Sequence, residues 1–442
     1  MKKTRITGLL PFVALLPAFA GAAEPVSHDI TYAREVSRII QDNCQGCHQP
    51  GQIGPMSLTT YEEVRPWAPL IAQKVAEREM PPYQYDAHVG VQELKDDWRM
   101  DQADIDTIVK WVQEGAQLGN VADLPEPVKY PEIGQWRLAD ELGEPDHIIK
   151  SAAWDVPAAG QDLWWEPEVD ANITESRCIK AVETLPSRAA HGSTHHANSH
   201  FLVKNEAGEW VDDIRLSEFA FGKLGEKVPK GACRKVPVDS KVKWSIHYYP
   251  DGKAVADDQV SVGIWYYDEE DDFDEATAYP QDLRLYALQG GGDYLIPPHG
   301  KLMTQGFHSF DHPVRIDSFQ PHLHLRGVAM SIESFDPRTG RREILSQISN
   351  WNAGWNHSHT YEEGFEPLLP AGATIILTSW FDNSAANPRN PDPDQWVGAG
   401  QRTTDEMSHA WIAVTHLDEE GYQDLLAERQ ARDSNSVASI GE

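Results

Sequence analysis

From about residue 175 onward the sequence is cut into short runs in which apolar and polar side chains alternate. "HFLV", "KVKWSIHYY", "SVGIWYY", "TIILTSWF" and "SHAWIAVTHL" are the clearest, with turn-forming clusters between them. Alternation with a period of two buries one face of a strand and wets the other, so many such runs in series predict antiparallel β-sandwiches. A break near residues 272–284 divides them into two sandwich domains, 137–275 and 276–425, followed by a polar C-terminal tail, 426–442. With 442 residues, 40% of them hydrophobic, and 30 prolines, the chain has material for two or three ordinary cores.

The N-terminal third reads differently. Lys2, Lys3 and Arg5 precede an apolar run from Leu9 to Ala20 ending in Ala18-Phe19-Ala20. That is the pattern of a secretory signal over residues 1–23, and the run is broken by Pro11 and Pro17 and too short for a membrane span. The expectation is a periplasmic protein without a membrane span. A formal net charge of -31 argues against nucleic acid as a partner.

Four cysteines are present. Cys44 and Cys47 lie in "DNCQGCHQPGQIGPM", directly followed by His48, and the helical spacing of Val36, Ile39 and Ile40 brings a helix up to Cys44. Two thiols three apart can add to the two vinyl groups of one porphyrin while the next residue ligates the iron, which is why C-x-x-C-H marks covalent haem c. Zinc would want a second ligand pair nearby, and a thioredoxin-like site a preceding strand. Met80 is the preferred sixth ligand, because Pro81 pushes it out of the helix that precedes it; Met56 and Met100 are the alternatives. A last helix begins at Asp101, carries Ile105, Ile108, Val109 and Val112 on one face and ends at Gly115. Residues 28–120 are therefore expected to form an all-α cytochrome c domain, joined to the sandwiches by a Pro- and Gly-rich linker, 121–136. The stretch resembles cytochrome c modules joined to bacterial oxidoreductases, in "GPMSL", "MPPY" and "WVQEGA". Cys178 and Cys233 are expected to pair in an oxidising compartment, two free buried thiols being the alternative.

Histidines mark the rest. In "KVKWSIHYYPDG" one strand face holds Val242, Trp244, Ile246 and Tyr248, so His247 points the other way. In "RIDSFQPHLHLRG" the same alternation leaves His322 and His324 together opposite Phe319, Leu323 and Leu325, a metal clamp at i and i+2. His195 and His196 in "GSTHHANSHFLV" are sequence neighbours and can serve one ion only at a bulge or strand end, with His191 and His200 as substitutes. His357 and His359 in "WNHSHTY" rival the 322/324 pair, or form a surface pair or a third metal site.

"HHANSHF", "IHYYPDG", "PHLHLRG" and "TTDEMSHAW" occur in the order seen in the type II copper, ascorbate-dependent monooxygenases, the peptidylglycine alpha-hydroxylating and dopamine beta-monooxygenase family, which residues 175–420 resemble. "WFDNSAANPRNPDP" is similar to its bacterial branch, some members of which carry a fused cytochrome c. The resemblance implies two mononuclear copper centres facing each other across a cleft between two sandwiches. His195, His196 and His247 match the electron-transfer copper; His322, His324 and Met407 match the oxygen-binding, catalytic copper. Asp405 and Glu406 either orient Met407 or belong to a polar loop. Gln320 stands where the peptide-processing enzyme has an arginine for its substrate's carboxylate, which argues against an amidated-peptide substrate. The implied function is hydroxylation of a C–H bond of a small organic substrate with O2, using one haem c and two copper ions. Electrons would come from a periplasmic cytochrome or an ascorbate-like reductant through the haem, whose tethering raises its effective concentration. A copper-binding electron carrier without oxygenase activity is the competing class, while a zinc hydrolase would want an H-E-x-x-H helix.

Overall fold

The computed structural model describes residues 29–440 apart from 51, 53, 131, 221, 222, 224, 269, 270 and 288–293; the expected signal segment, 1–23, lies outside the described residues. Strands predominate. In the first sandwich a sheet containing Thr194–Lys204, Trp210–Ala220 and Lys241–Tyr248 packs over Cys178–Leu185 and Ser261–Tyr266. The alternation in "KVKWSIHYY" is the reason: Val242, Trp244, Ile246 and Tyr248 are all fully buried in one core with Phe201 and Val262. Truncating Trp244 to Ala would cost about 3–5 kcal/mol.

The second sandwich packs Val314–Leu323 and Ser408–His416 against a four-stranded sheet, Lys301–Ser309, Thr374–Asp382, Gly327–Asp336 and Arg341–Ile348. The two halves are not separate. Ala232–Lys235 of the first runs parallel to Tyr279–Leu285 of the second, pairing Ala232 with Tyr279 and Cys233 with Pro280, so one eleven-stranded sheet passes through both. Cys178 and Cys233 are disulfide-bonded beside this junction. The C-terminal segment Glu419–Ile440 is a helix, and Arg432 anchors it by donating to the Gly364 carbonyl at 2.7 Å.

The N-terminal region corrects the expected fold class, for residues 28–120 do not make an all-α domain. Short helices do form, at Ser37–Asn43, Tyr61–Val64, Ala68–Ala76 and Gln102–Gln113, and bury Ile40, Val64, Ile108 and Trp111 together. A capping box of Thr60 and Glu63 starts the second of these, whereas Asp101 sits at the N-cap of the last without a side-chain capping bond. Between Ala76 and Gln102, however, the chain forms no helix, and its middle reaches into the second sandwich. Leu94 pairs with Tyr361 and Lys95 with Thr360, and Tyr85 and Leu94 enter that sandwich's core. Pro81-Pro82 and the many turn residues that follow deny this stretch a helical period. Gly90 fixes the approach: its φ is +72°, and a Cβ there would lie 2.3 Å from the Leu345 carbonyl oxygen. The chain is thus a mostly β protein with a helical N-terminal cap stitched into its sheet. Among the described residues no helix is long and apolar enough to cross a membrane.

Candidate metal centres and cofactor cavity

His196 and His247 pair across Thr194–Lys204 and Lys241–Tyr248, while the next pairing, Tyr248 with Thr194, skips His195. This bulge brings the exposed His195 to the same side as the other two, and the three rings come within 4.9–5.4 Å of one another, centroid to centroid. One ligand atom from each residue lies within 4.8 Å of the others. Nδ1 of His195 is 3.2 Å from Nδ1 of His196. Nitrogens bound at about 2.0 Å to one tetrahedral ion would be roughly 3.3 Å apart, so the spacing suits a shared cation. His247 is 4% exposed, and neither of its nitrogens is aligned for a hydrogen bond, although Nε2 lies 3.2 Å from Asp162 Oδ2. Trp164, opposite on the next strand, stacks on the His247 ring at 4.0 Å. Burial, and then the neighbouring His195 and His247, push His196 down to about 3, which leaves its lone pair free at neutral pH.

His322 and His324 also meet, ring centroids 5.2 Å apart and nearly perpendicular. Nδ1 of His324 lies 3.0 Å from the Asp405 carbonyl, and a donated proton there leaves Nε2 as the ligand atom. Glu406 is buried and accepts the backbone N–H of His324 at 3.0 Å. Met407 is half-buried and precedes Ser408, which pairs with Leu323 between the two histidines, so its backbone is at the same strand end. His409 stacks on His322 at 4.8 Å. His191 and His200 fall outside the first cluster; His191 lines the cavity described below and His200 packs on Trp411.

A buried polar network fills the space behind both groups. Glu218 meets Arg215 at 2.8 Å and Lys223 at 3.4 Å and receives the Gln320 amide and Asn356 Nδ2. Burial pushes its carboxyl up, but Arg215 and Lys223 hold it down to about 2, and its charge acts on both His196 and His322. Nothing local in the sequence singles out Glu218 or Asn356. Gln320 is fully engaged here, with Ser358 donating to its Oε1 at 3.1 Å.

Cys44, Cys47 and His48 line a largely apolar cavity of about 680 Å³, together with Met56, Leu58, Ile71, Val75 and Met80. Both thiols are free. Nδ1 of His48 is 3.2 Å from the Met56 carbonyl, leaving Nε2 to ligate. A Cβ on Gly54 would sit 2.5 Å from the His48 ring, so only glycine lets the loop close over it. These residues fit a covalently attached porphyrin. Met56 and Met80 both reach the wall; Met100 is packed in the helical core. Across the cavity the linker supplies Tyr130 and Ile133, and the sandwiches supply Phe219, Ala220 and Trp355. Ala220 pairs directly with His196.

No family model matches the chain, and no curated protein matches it. Among solved structures, a fucolectin from striped bass (Morone saxatilis) serum is 9% identical over 61% of this chain and 86% of its own, at a TM-score of 0.16. The tandem CBM22 domains of Paenibacillus barcinonensis Xyn10C are 10% identical over 66% of this chain and 100% of theirs, again at 0.16. The PBSX exported protein XepA is 9% identical over 57% of this chain and 99% of its own, at 0.15. Overlaps this slight carry no argument about fold or function.

Proposed function

We propose that the chain is an exported copper monooxygenase of the ascorbate-dependent type II kind, hydroxylating a C–H bond of a small organic molecule. The observation that carries this reading is the convergence of His195, His196 and His247 within reach of one ion, beside a second imidazole pair, His322 and His324, with Glu218 acting on both His196 and His322. Copper at the two groups would supply one-electron redox chemistry and O2 activation, and a haem c on Cys44, Cys47, His48 and Met80 would supply electrons from a periplasmic donor.

The protein's own groups do the rest. Imidazoles kept neutral by burial present lone pairs without competition from protons. The Asp405 carbonyl fixes the tautomer of His324, and Glu406 pins the backbone that carries it. Glu218, itself paired with Arg215 and Lys223, holds together the polar network behind both histidine groups. Gln320, held by Glu218 and Ser358, is not free to grip a substrate carboxylate, which favours a neutral or apolar substrate. The Cys178–Cys233 bridge suits an exported protein.

Oxygen consumption by copper-loaded, full-length protein tests the reading. Met407→Ala should abolish it while leaving the haem spectrum unchanged. No oxygen uptake by the wild type with any donor would overturn the oxygenase in favour of an electron carrier.

A further inference from the structure

We propose that His357, His359 and Tyr83 form a third metal site that takes a copper ion, separate from both histidine groups above. His359 opens the strand His359–Tyr361 and pairs with Phe319, and His357 lies two residues before it, on the same side. They are 7% and 1% exposed. Nε2 of His357, both ring nitrogens of His359 and the Tyr83 hydroxyl are buried without a hydrogen-bond partner. The Phe319 backbone comes near His359 without completing a bond.

Unsatisfied polar atoms are costly and normally scattered. Here four such atoms lie on three residues packed around the Tyr83 ring, which points to a shared partner. Tyr83 closes the group, its ring 5.3 Å from His359 and 6.3 Å from His357, and Trp98 meets His357 edge-on at 5.1 Å.

The segment 355–359 shows why this site is distinct. Asn356 donates to Glu218 and Ser358 to Gln320, on the side of the 322/324 pair. Trp355, His357 and His359 face the other way, toward Trp98 and Tyr83. Two neutral imidazoles and a phenol suit a late first-row cation, and copper binds such donors most tightly. Burial, which depresses His357 to about 4 and His359 to about 3, keeps the imidazoles unprotonated at neutral pH. A nearby cation, Arg99, lies 5.5 Å above the Tyr83 ring, and Asp97 neutralises it.

The site does not depend on the oxygenase reading. Metal-free full-length protein is equilibrated with copper, dialysed and assayed for copper per chain. His357→Gln/His359→Gln should hold one equivalent fewer than the wild type, and His247→Ala should lose a different equivalent, so the two failures are distinguishable. Tyr83→Phe, which preserves the ring packing, should weaken binding at this site at least about tenfold and remove a phenolate-to-copper absorption band. Equal copper in wild type and the double variant, or an unaltered spectrum and affinity in Tyr83→Phe, would overturn the site and leave a pocket for water.

Discussion

His196 and His247 stand directly opposite each other on two antiparallel strands, with ring centroids 4.9 Å apart. If the space between them and His195 holds copper, His247→Ala should lose more than the roughly 10–100-fold in affinity that removing a mere supporting group costs. Chelator competition measures it. At ligand 100-fold over Kd, binding adds about 2.7 kcal/mol to stability, so a chelator should lower the Tm of the wild type more than that of His247→Ala. Identical chelator sensitivity would remove these histidines from any metal centre.

Glu226 gives a pH prediction at the junction of the two sandwiches. It meets Lys223 at 2.7 Å and Arg234 at 3.2 Å, and Arg234 in turn donates to Gln281 on the second sandwich at 3.1 Å. Burial pushes the carboxyl up, but Lys223 and Arg234 hold it at about 2. A carboxylate depressed on folding contributes fully above its ordinary pKa and loses its contribution as pH falls through the folded value. With the Glu226 side chain still 19% exposed, the effect is on the order of 2 kcal/mol between about pH 4.5 and 2. Urea unfolding at stepped pH should show a shallower acid loss in Glu226→Gln than in the wild type.

Reduction of Cys178–Cys233, which closes a loop of 55 residues, should lower stability by up to about 4 kcal/mol on the chain-entropy account. Denaturant midpoints with and without a thiol reductant check this. An unchanged midpoint would mean that the surrounding β pairing alone constrains the junction.

Gly90→Ala should cost about 1–3 kcal/mol, from the positive φ and the collision with Leu345. Its signature is local. Amide exchange should accelerate at Leu94, Lys95 and Tyr361 before the helical core around Trp111 responds. Uniform acceleration would argue that this segment and the helices unfold as one unit.

The sandwiches were readable because their signal is local: four alternate buried residues from Val242 to Tyr248 announce a strand and aim His247 away from the core. The His322/His324 pair was readable for the same reason. The path of residues 77–101 was not, because a two-residue strand has no period and its partners, Thr360 and Tyr361, lie over 260 positions away. A helical reading of its flanks therefore spread across it. Glu218 on a strand and Asn356 on a loop meet beside the histidines, and only the tertiary structure brings them there.

The parallel pairing of Ala232 with Tyr279 and Cys233 with Pro280 has a mechanical consequence. A continuous ladder between the halves cannot act as a hinge without breaking hydrogen bonds, so the span from His247 to His324 is set by strand register. Anything that passes between the two histidine groups, a diffusing molecule or an electron, therefore does so across a spacing that the sheet itself dictates.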